Sequence, residues 1–470
     1  MKINIKYIQG LLFLGLLFFT ISCSEDYLDV DSKDALEQDD SETVTPEEMV
    51  NGVYGMLTEW AYAFSYLGIT EIISDNADKG SSTTDTGSDK DVLDALTFTS
   101  SAGSILDMWD NWYKSVNRAS TAIEYAEDYG LSDTDYKDRL VGEAEFLRAL
   151  NYFWLVRSFG AVPLQDIDLV ERQPVADVYA YIEADLLDAI DKLPLKSEYD
   201  SDDLGRVTKG AAQSLLSKVY LYEEEWQKAY DMANNVVNSG EYGLHPNYEE
   251  LWRASTENGI ESIFEVQARG EAVAHGVQQY SQTQGARGAD GWGWGYNVPS
   301  ETLVEAYEAE GDTVRMNASI IFQGETLWDG REVFDVENPR YNEKAYSSAS
   351  AGADDGDKNI RILRYAEILL IKSEAAKHLG GDAATPLNLV RSRVGLAPIS
   401  DPTLEQIWNE RHLELAMEHD RWFDLIRTGQ AEEAMAADGK TFIVGKHELL
   451  PIPYNQLVQT PEMEQNPGWE

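Results

Sequence analysis

The stretch RILRYAEILLIKSEAAKHLGG, residues 361–381, is the most informative part of the chain for its fold. From Ile362 to Ile371 the residues are apolar almost all round the predicted helix, so neighbouring elements must cover it on most sides. Two glycines end this helix, and the apolar spacing from Ala383 to Val394 predicts a second one. The sequence therefore predicts a buried helical hairpin.

A third helical segment is predicted directly after the hairpin, from Leu404 to Leu425. Charged side chains alternate there with apolar ones at a spacing that places them on one face of a helix. The predicted pairs are Arg411 with Glu414, Glu418 with Arg421, and Arg421 with Asp424. We expect one helix whose charges pair along its own length and fix it against its neighbours.

Helical periodicity also fills the first half of the chain, where apolar residues recur three and four positions apart. The segments run from Ile105 to Ala126, Leu140 to Trp154, Val175 to Leu193, Lys209 to Glu223 and Trp226 to Asn238. The last two form a pair with an aromatic residue at the turn and alanines at close-packing positions, which resembles a tetratricopeptide unit. Such pairs stack into a superhelix because none buries its apolar face alone.

The helical period is mostly lost between Tyr242 and Asn359, where Gly, Ser, Asp and Trp dominate. A loop region of this length is uncommon inside a compact domain and is often functional. The segment ADGWGWGY, residues 289–296, stands out within it.

Composition limits the classes of partner. The chain has 84 acidic and 37 basic residues, which gives a formal net charge of -47. A field of this sign repels phosphate backbones, so nucleic acid is excluded as a partner and polyanionic substrates are disfavoured. With 43% hydrophobic residues, a chain of 470 residues can bury one large core or two smaller ones without disulfides.

The N-terminus has the features of a secretory signal. Two lysines precede an apolar run from Leu11 to Ile21 that is too short to span a bilayer. The only cysteine, Cys23, is predicted to receive a diacylglyceryl group and to serve as a lipid anchor. The alternative is an ordinary signal peptide with an incidental cysteine. We expect a signal peptide over residues 1–22 and a lipidated, acidic tether over residues 23–44.

Several ordered motifs, together with the predicted lipoprotein cysteine, resemble the SusD/RagB family of Bacteroidetes nutrient-binding outer-membrane lipoproteins. The motifs are EAEFLRALNYFWLVRSFGAVPL (143–164), GRVTKGAAQSLLSKVYLY (205–222), RILRYAEILLIKSEAA (361–376), ERHLELAMEHDRWFDLIRTG (410–429), LLPIP (449–453) and QNPGW (465–469). The resemblance covers nearly the whole chain.

The resemblance implies a mainly α fold in which about four tetratricopeptide-like helical pairs form a superhelical scaffold, with a loop-rich ligand-binding region packed on it. It divides the folded part into an N-terminal half, residues 45–240, and a C-terminal half, residues 241–470. It also implies a SusC-like TonB-dependent transporter as partner, which the lipoprotein covers as a lid. The position implied is the outer membrane, facing the cell exterior.

Candidate ligand residues follow from the chemistry of a neutral glycan, which offers flat C–H faces and a rim of hydroxyls to exposed aromatic and polar side chains. Trp292 and Trp294 lie between glycines, so each serves either as a ligand platform or as an anchor of its loop; the family pattern favours anchoring for at least one. The other candidates are Tyr296, Asp75, Asn76, Trp60, Tyr62, Trp328 and Tyr341.

The sequence gives little support to catalysis. Glu414 with Glu418, or Asp420 with Asp424, has a spacing that a glycosidase pair could use, but an ion network with nearby arginines explains these acids better. Zinc, phosphate-loop and dinucleotide motifs are absent from the sequence. No cofactor is expected, although the run DDGD, residues 354–357, could hold calcium instead of forming a solvated turn.

We therefore predict a non-enzymatic surface lipoprotein that captures an oligo- or polysaccharide and delivers it to the transporter. A peptide or other nutrient binder of the same build is the alternative, and the sequence barely separates the two. An enzyme and a purely scaffolding repeat protein remain as further alternatives.

Overall fold

Long helices dominate the computed structural model, which describes residues 44–164, 171–270, 276–348 and 356–470. The predicted signal peptide, Cys23 and the tether up to residue 43 lie outside these ranges. The helices up to residue 239 are α1 (Pro46–Met56), α2 (Trp60–Leu67), α3 (Asp89–Asp94), α4 (Gly103–Asp128), α5 (Thr134–Phe159), α6 (Val175–Lys192), α7 (Lys209–Tyr222) and α8 (Trp226–Ser239).

Shorter helices and three two-stranded sheets make up most of the second half. The helices are α9 (Tyr280–Gln284), α10 (Glu301–Glu310), α11 (Thr313–Ser319), α12 (Tyr365–His378), α13 (Ala384–Arg393), α14 (Leu404–Leu415), α15 (Arg421–Arg427), α16 (Ala431–Ala437) and α17 (Tyr454–Gln459). The strands are β1 (Ala77–Asp78), β2 (Ser262–Val266), β3 (Val298–Pro299), β4 (Ile320–Phe322), β5 (Arg340–Asn342) and β6 (Ile360–Arg364). They pair antiparallel as β1 with β3, β2 with β6 and β4 with β5.

The helical scaffold is a continuous series of packed neighbours. Helices α4 to α8 each pack on the next in sequence, α8 packs on α12, and α12 packs on both α13 and α14. Local signals set the ends of these helices: Asp133 accepts a hydrogen bond from Tyr136 N at the start of α5, and Gly240 ends α8 with a φ of 73°. The predicted mainly α fold of stacked helical pairs is confirmed. None of the described helices is long and apolar enough to cross a membrane.

The helix predicted to begin near Ile362 begins instead at Tyr365. Residues Ile360–Arg364 form strand β6, which pairs with β2. In this pair Val266 lies opposite Ile360 and Ser262 lies opposite Arg364. An apolar run this short fits a buried strand as well as a helix, and here the partner strand β2 decides the outcome.

The single helix predicted from Leu404 to Leu425 is wrong. The chain forms α14 up to Leu415 and α15 from Arg421, and the residues between them turn sharply. Met417 and His419 have φ values of 65° and 73°, in the left-handed region that residues other than glycine rarely adopt. Contacts from distant parts of the chain hold this break in place.

The charged residues of this region have other partners than the predicted ones, which corrects the predicted pairs: Arg411 pairs with Glu367 and Asp424, Glu418 with Arg364, and Arg421 with Asp75. Glu414 accepts hydrogen bonds from Arg364 at 2.5 Å and from Arg315 at 3.0 Å, and it also pairs with Arg393. Burial acts to raise the pKa of Glu414, but these three guanidinium groups outweigh it and hold the pKa well below its ordinary value. The network therefore ties α14 to β6, α11 and α13.

Candidate functional site

An open cleft of about 750 Å³ lies beside helix α2. Its walls come from α2, from the loop between β1 and α3, and from the glycine-rich segment before β3. The lining residues are Trp60, Phe64, Thr84, Asp85, Thr86, Arg287, Gly293, Trp294 and Tyr296.

Helix α2 separates its aromatic residues onto two faces. Trp60 and Phe64, one helical turn apart, stack on the cleft side with ring centroids 5.3 Å apart and an interplanar angle of 17°. Tyr62 and Tyr66 point to the other side, where both pack against Trp154 in the core. Only one face of this aromatic helix is therefore available to a ligand.

The glycine-rich segment folds back on the end of α9 through backbone hydrogen bonds. Trp292 N and Gly293 N both donate to Ala286 O at 2.8 Å, and Trp294 N donates to Gln282 O at 2.9 Å. A Cβ atom on Gly293 would overlap the carbonyl oxygen of Gln282, so only glycine fits there. This close approach fixes the direction of the two flanking indoles.

The two tryptophans of this segment have different roles. Trp292 packs into a buried cluster, with its ring 5.2 Å from that of Tyr346 and the Arg331 guanidinium 5.0 Å from its centroid. Trp294 lines the cleft and meets Trp60 edge-on at 5.8 Å. Trp292 is thus the anchor of the loop, and Trp294 forms the wall of the cleft.

The polar groups of the cleft are held by internal partners. Tyr296 is 4% exposed, and its hydroxyl donates to Thr86 O at 2.5 Å, which ties the two loops together. Arg287 forms ion pairs with Asp85 and, at 3.2 Å, with Glu337. The cation in the lining is thus matched by carboxylates, and the cleft offers aromatic surface without excess positive charge.

Comparison with known proteins places this architecture. A family model described as "Starch-binding associating with outer membrane" matches residues 26–221, and the SusD family model matches residues 338–469. SusD-like protein P2 of Formosa agariphila is 28% identical over 97% of this chain and 99% of its own length. The chain belongs to the SusD family.

Other SusD-family proteins share the fold over most of the chain. A solved structure named as a laminarin-binding SusD-like protein is 28% identical, with a TM-score of 0.78, and covers 90% of this chain and 98% of its own. Surface glycan-binding protein A from Bacteroides fluxus is 25% identical with the same TM-score and the same two coverages. The starch-binding protein SusD of Bacteroides thetaiotaomicron is 24% identical over 73% of this chain and 74% of its own length.

Asp75 and Asn76 do not lie on a ligand-binding face of this SusD-family chain. Both are buried, with exposed fractions of 2% and 0%. Asp75 accepts two hydrogen bonds from Arg421, at 2.8 and 2.7 Å. Burial acts to raise the pKa of Asp75, but Arg421 outweighs it and lowers the pKa to about 2. Asn76 Oδ1 lies 2.6 Å from His412 Nε2. Both residues therefore position other side chains, which corrects their predicted role as ligand contacts.

Tyr62 and Tyr341 are also enclosed, each 0% exposed, so neither touches a ligand in this conformation. The Tyr341 hydroxyl accepts from Asn338 N at 2.9 Å and supports the loop behind Trp292. Trp328 is 50% exposed on the segment between β4 and β5, with the Arg253 guanidinium 4.0 Å from its ring centroid. It does not line the cleft, and its ligand role stays a prediction.

Phe64, Asp85 and Arg287 line the cleft but are not among the residues predicted from the sequence. Phe64 could have been found, because it lies four positions after Trp60 and shares its face on a helix. Asp85 and Arg287 lie 202 residues apart, and nothing local in the sequence marks them as partners.

Half of the predicted calcium run, Asp354 and Asp355, lies outside the described residues, which resume at Gly356. Among the described residues no group of three or more His, Cys, Asp or Glu side chains is placed to hold a metal. The acids whose spacing resembled a glycosidase pair lie in the ion network: Glu414 and Glu418 both accept hydrogen bonds from Arg364.

Proposed function

We propose that this protein captures a neutral oligo- or polysaccharide at the cell surface, in the cleft between Trp60 and Trp294, and delivers it to a SusC-like TonB-dependent transporter. The observation that carries the proposal is the pair of indoles that meet at 5.8 Å in the wall of an open cleft of about 750 Å³. Ligand sites are typically concave and aromatic, with a small number of polar groups that fix orientation.

A neutral glycan fits the charges of the site. Asp85 and Glu337 neutralise Arg287, and the chain as a whole carries a net charge of -47. A polyanion would meet an opposing field without a free cation in the lining to compensate. Pyranose rings, in contrast, can lie against the indole faces while their hydroxyls reach Asp85 and the Thr84 and Thr86 side chains.

The comparisons supply the first ligand to try. The laminarin-binding SusD-like protein is 28% identical to this chain, and the match extends over 98% of that protein's length. We therefore favour a neutral glucan, with laminarin as the first probe.

Delivery requires the protein to be held at the outer membrane. The family model that matches residues 26–221 is described as associating with the outer membrane. We place the anchor at Cys23, with a diacylglyceryl group, and the folded unit on the exterior face as a lid over the transporter. Copurification of a transporter of this class with the tagged protein from its own host, lost on removal of the protein's folded unit, would support this arrangement.

Calorimetric titration of the protein produced from residue 24 onward tests capture. We expect heat with laminarin, and a loss of affinity of roughly 30-fold or more in Trp294→Ala and Trp60→Ala, because truncation of an aromatic anchor costs about 2 kcal/mol or more. Tyr454→Ala is the matched control, since Tyr454 is 57% exposed but does not line the cleft.

The same titrations with alginate and with a tryptic peptide mixture separate the alternatives. Heat from peptides with none from neutral glycans would overturn glycan capture and favour the peptide-binding alternative. New reducing ends released from laminarin by the purified protein would contradict the expectation that it is not an enzyme.

A further inference from the structure

A second, smaller cleft of about 250 Å³ lies between helices α14 and α16. The helix α14 presents residues to it at a spacing of three and four, so one face of that helix forms a wall. The lining residues are Glu405, Trp408, Asn409, His412, Arg421, Gln430, Glu433, Ala434 and Ala437. The cleft beside α2 shares none of them.

The floor of this second cleft is formed by side chains that hydrogen bonds hold in place, and it carries no net charge. Asp75 holds Arg421 through two hydrogen bonds and cancels its charge. His412, 8% exposed, is held by Asn76, and burial lowers its pKa to about 3, so its ring is neutral at physiological pH. Arg421 and His412 are thus oriented from below by residues that do not themselves line the cleft: Nε2 of the neutral His412 donates to Asn76 Oδ1, and the guanidinium of Arg421 is the donor group of the floor.

The walls carry hydrogen-bonding groups that are not saturated. Trp408 Nε1 is buried without an acceptor in the part of the chain that the structure describes. The Asn409 side-chain nitrogen lies 3.5 Å from Glu310 Oε2, at the outer limit of a hydrogen bond. Buried donors of this kind favour an acceptor supplied by water or by a ligand.

We propose that this second cleft binds a single neutral sugar unit, with its ring against Trp408 and its hydroxyls on Asn409, Gln430 and Arg421. The volume of about 250 Å³ suits one pyranose and excludes a branched oligosaccharide. A flat apolar surface beside amide and guanidinium groups is the combination that a polyol with one C–H face requires.

Charge argues against the other small ligands. The guanidinium of Arg421 is already neutralised by Asp75, and Glu405 and Glu433 are exposed beside it, so an anion would be repelled. A cation would be attracted by the exposed Glu405 and Glu433, but the Asp75 carboxylate at the floor is already engaged by Arg421 and is not available to it. A neutral ligand with several hydroxyls meets neither obstacle.

The test follows the indole N–H signal of Trp408 by ¹H–¹⁵N NMR, with the signal identified by its loss in Trp408→Phe. D-glucose, D-galactose and D-mannose are added separately up to about 100 mM, because a ligand of this size is expected to bind with a dissociation constant on the order of millimolar. We expect a saturable shift with at least one sugar. In Asn409→Ala the affinity should fall by about fivefold, and in the control Glu432→Gln, on α16 but outside the lining, it should not change.

If none of the three sugars shifts the Trp408 signal, the proposal is overturned. A shift that persists unchanged in Asn409→Ala, or a response to tetramethylammonium chloride with none to sugars, would also overturn it. The proposal stands apart from capture in the first cleft: in Trp294→Ala, which should lose laminarin, the response of Trp408 to the sugar should remain.

Discussion

Arg364 Nη1 donates a 2.5 Å hydrogen bond to Glu414 Oε1 and joins the last residue of β6 to helix α14. Arg364 is 2% exposed and Glu414 is 0% exposed, so the pair is enclosed by protein. Arg364 also donates to Glu418 through Nε at 2.6 Å, at the point where the chain leaves α14. One guanidinium therefore holds both the helix and the break that follows it.

Replacement of Arg364 with Met should destabilise the fold strongly. The substitution leaves Glu414 and Glu418 buried with fewer partners, and breaking one side of a buried ion pair costs about 3–5 kcal/mol. Urea unfolding followed by circular dichroism measures the change. Lys228→Met is the control, because the Lys228–Glu183 pair is partly exposed, 48% and 29% for the two side chains, and its loss should change the free energy of unfolding by less than about 1 kcal/mol. Equal effects of the two substitutions would contradict the role of burial.

The free energy of unfolding should depend on pH through Glu71. Burial raises the pKa of Glu71 to about 8, against an ordinary value near 4.5. Between these pH values the folded state keeps a proton that the unfolded state has lost, so stability falls as pH rises towards 8. Glu71→Gln removes this loss. Between pH 5 and 8, the free energy of unfolding of the variant should therefore rise, relative to that of the native protein, by on the order of 1 kcal/mol per pH unit.

Urea unfolding of both proteins at several pH values tests the Glu71 prediction. Glu145, whose pKa is also raised to about 8, is present in both proteins, so its contribution cancels in the difference. Parallel stability profiles would show that Glu71 does not titrate in this range.

Gly293→Ala should disrupt the wall of the first cleft. A Cβ at this position overlaps Gln282 O, so the segment carrying Trp294 must move, with a loss of about 2 kcal/mol or more in unfolding free energy. Laminarin affinity should fall with it. Gly52→Ala is the matched control: nothing lies within 4 Å of its added Cβ in helix α1, and stability should stay the same or rise by up to about 1 kcal/mol. Unchanged laminarin binding in Gly293→Ala would refute the importance of this close approach.

Cys23→Ala should release the protein from the membrane. The predicted diacylglyceryl group provides two chains, enough for stable anchoring, whereas the described helices offer no membrane span. Labelled palmitate should enter the native protein and the control Ser22→Ala, but not Cys23→Ala, and only the last should appear in the soluble fraction. Retention of Cys23→Ala in the membrane would refute the anchor.

The helical scaffold was predictable because its signals are local. Apolar spacing located helices α5 and α8, and glycines end both of them, at Gly160 and Gly240, although α5 begins at its capping Asp133, before the predicted segment. The break between α14 and α15 was not, since AMEHD, residues 416–420, contains neither glycine nor proline. Contacts with Arg364, Lys344 and Glu71 impose that break from elsewhere in the chain.

The first cleft was predictable only in part, for a similar reason. The glycines around Trp294 marked the loop, and Trp60 was found through its aromatic neighbours. The alternation of Trp60, Tyr62, Phe64 and Tyr66 concealed their separation onto two helical faces, which left Tyr62 among the candidates and Phe64 outside them. The ion pair of Arg287 with Asp85 depends on tertiary structure alone.

The segment Gly285–Tyr296 closes most of its backbone hydrogen bonds on residues 282–286, within a few positions of itself. The ion network that stabilises α14 involves none of its side chains. Gly293, Trp292 and Tyr296 hold the loop in place, whereas Trp294 lines the cleft, so a substitution at Trp294 can change the cleft surface without disturbing the helical repeats. The ligand specificity of such a protein could therefore change through a few substitutions in one short segment, while the helical scaffold beneath it stays the same.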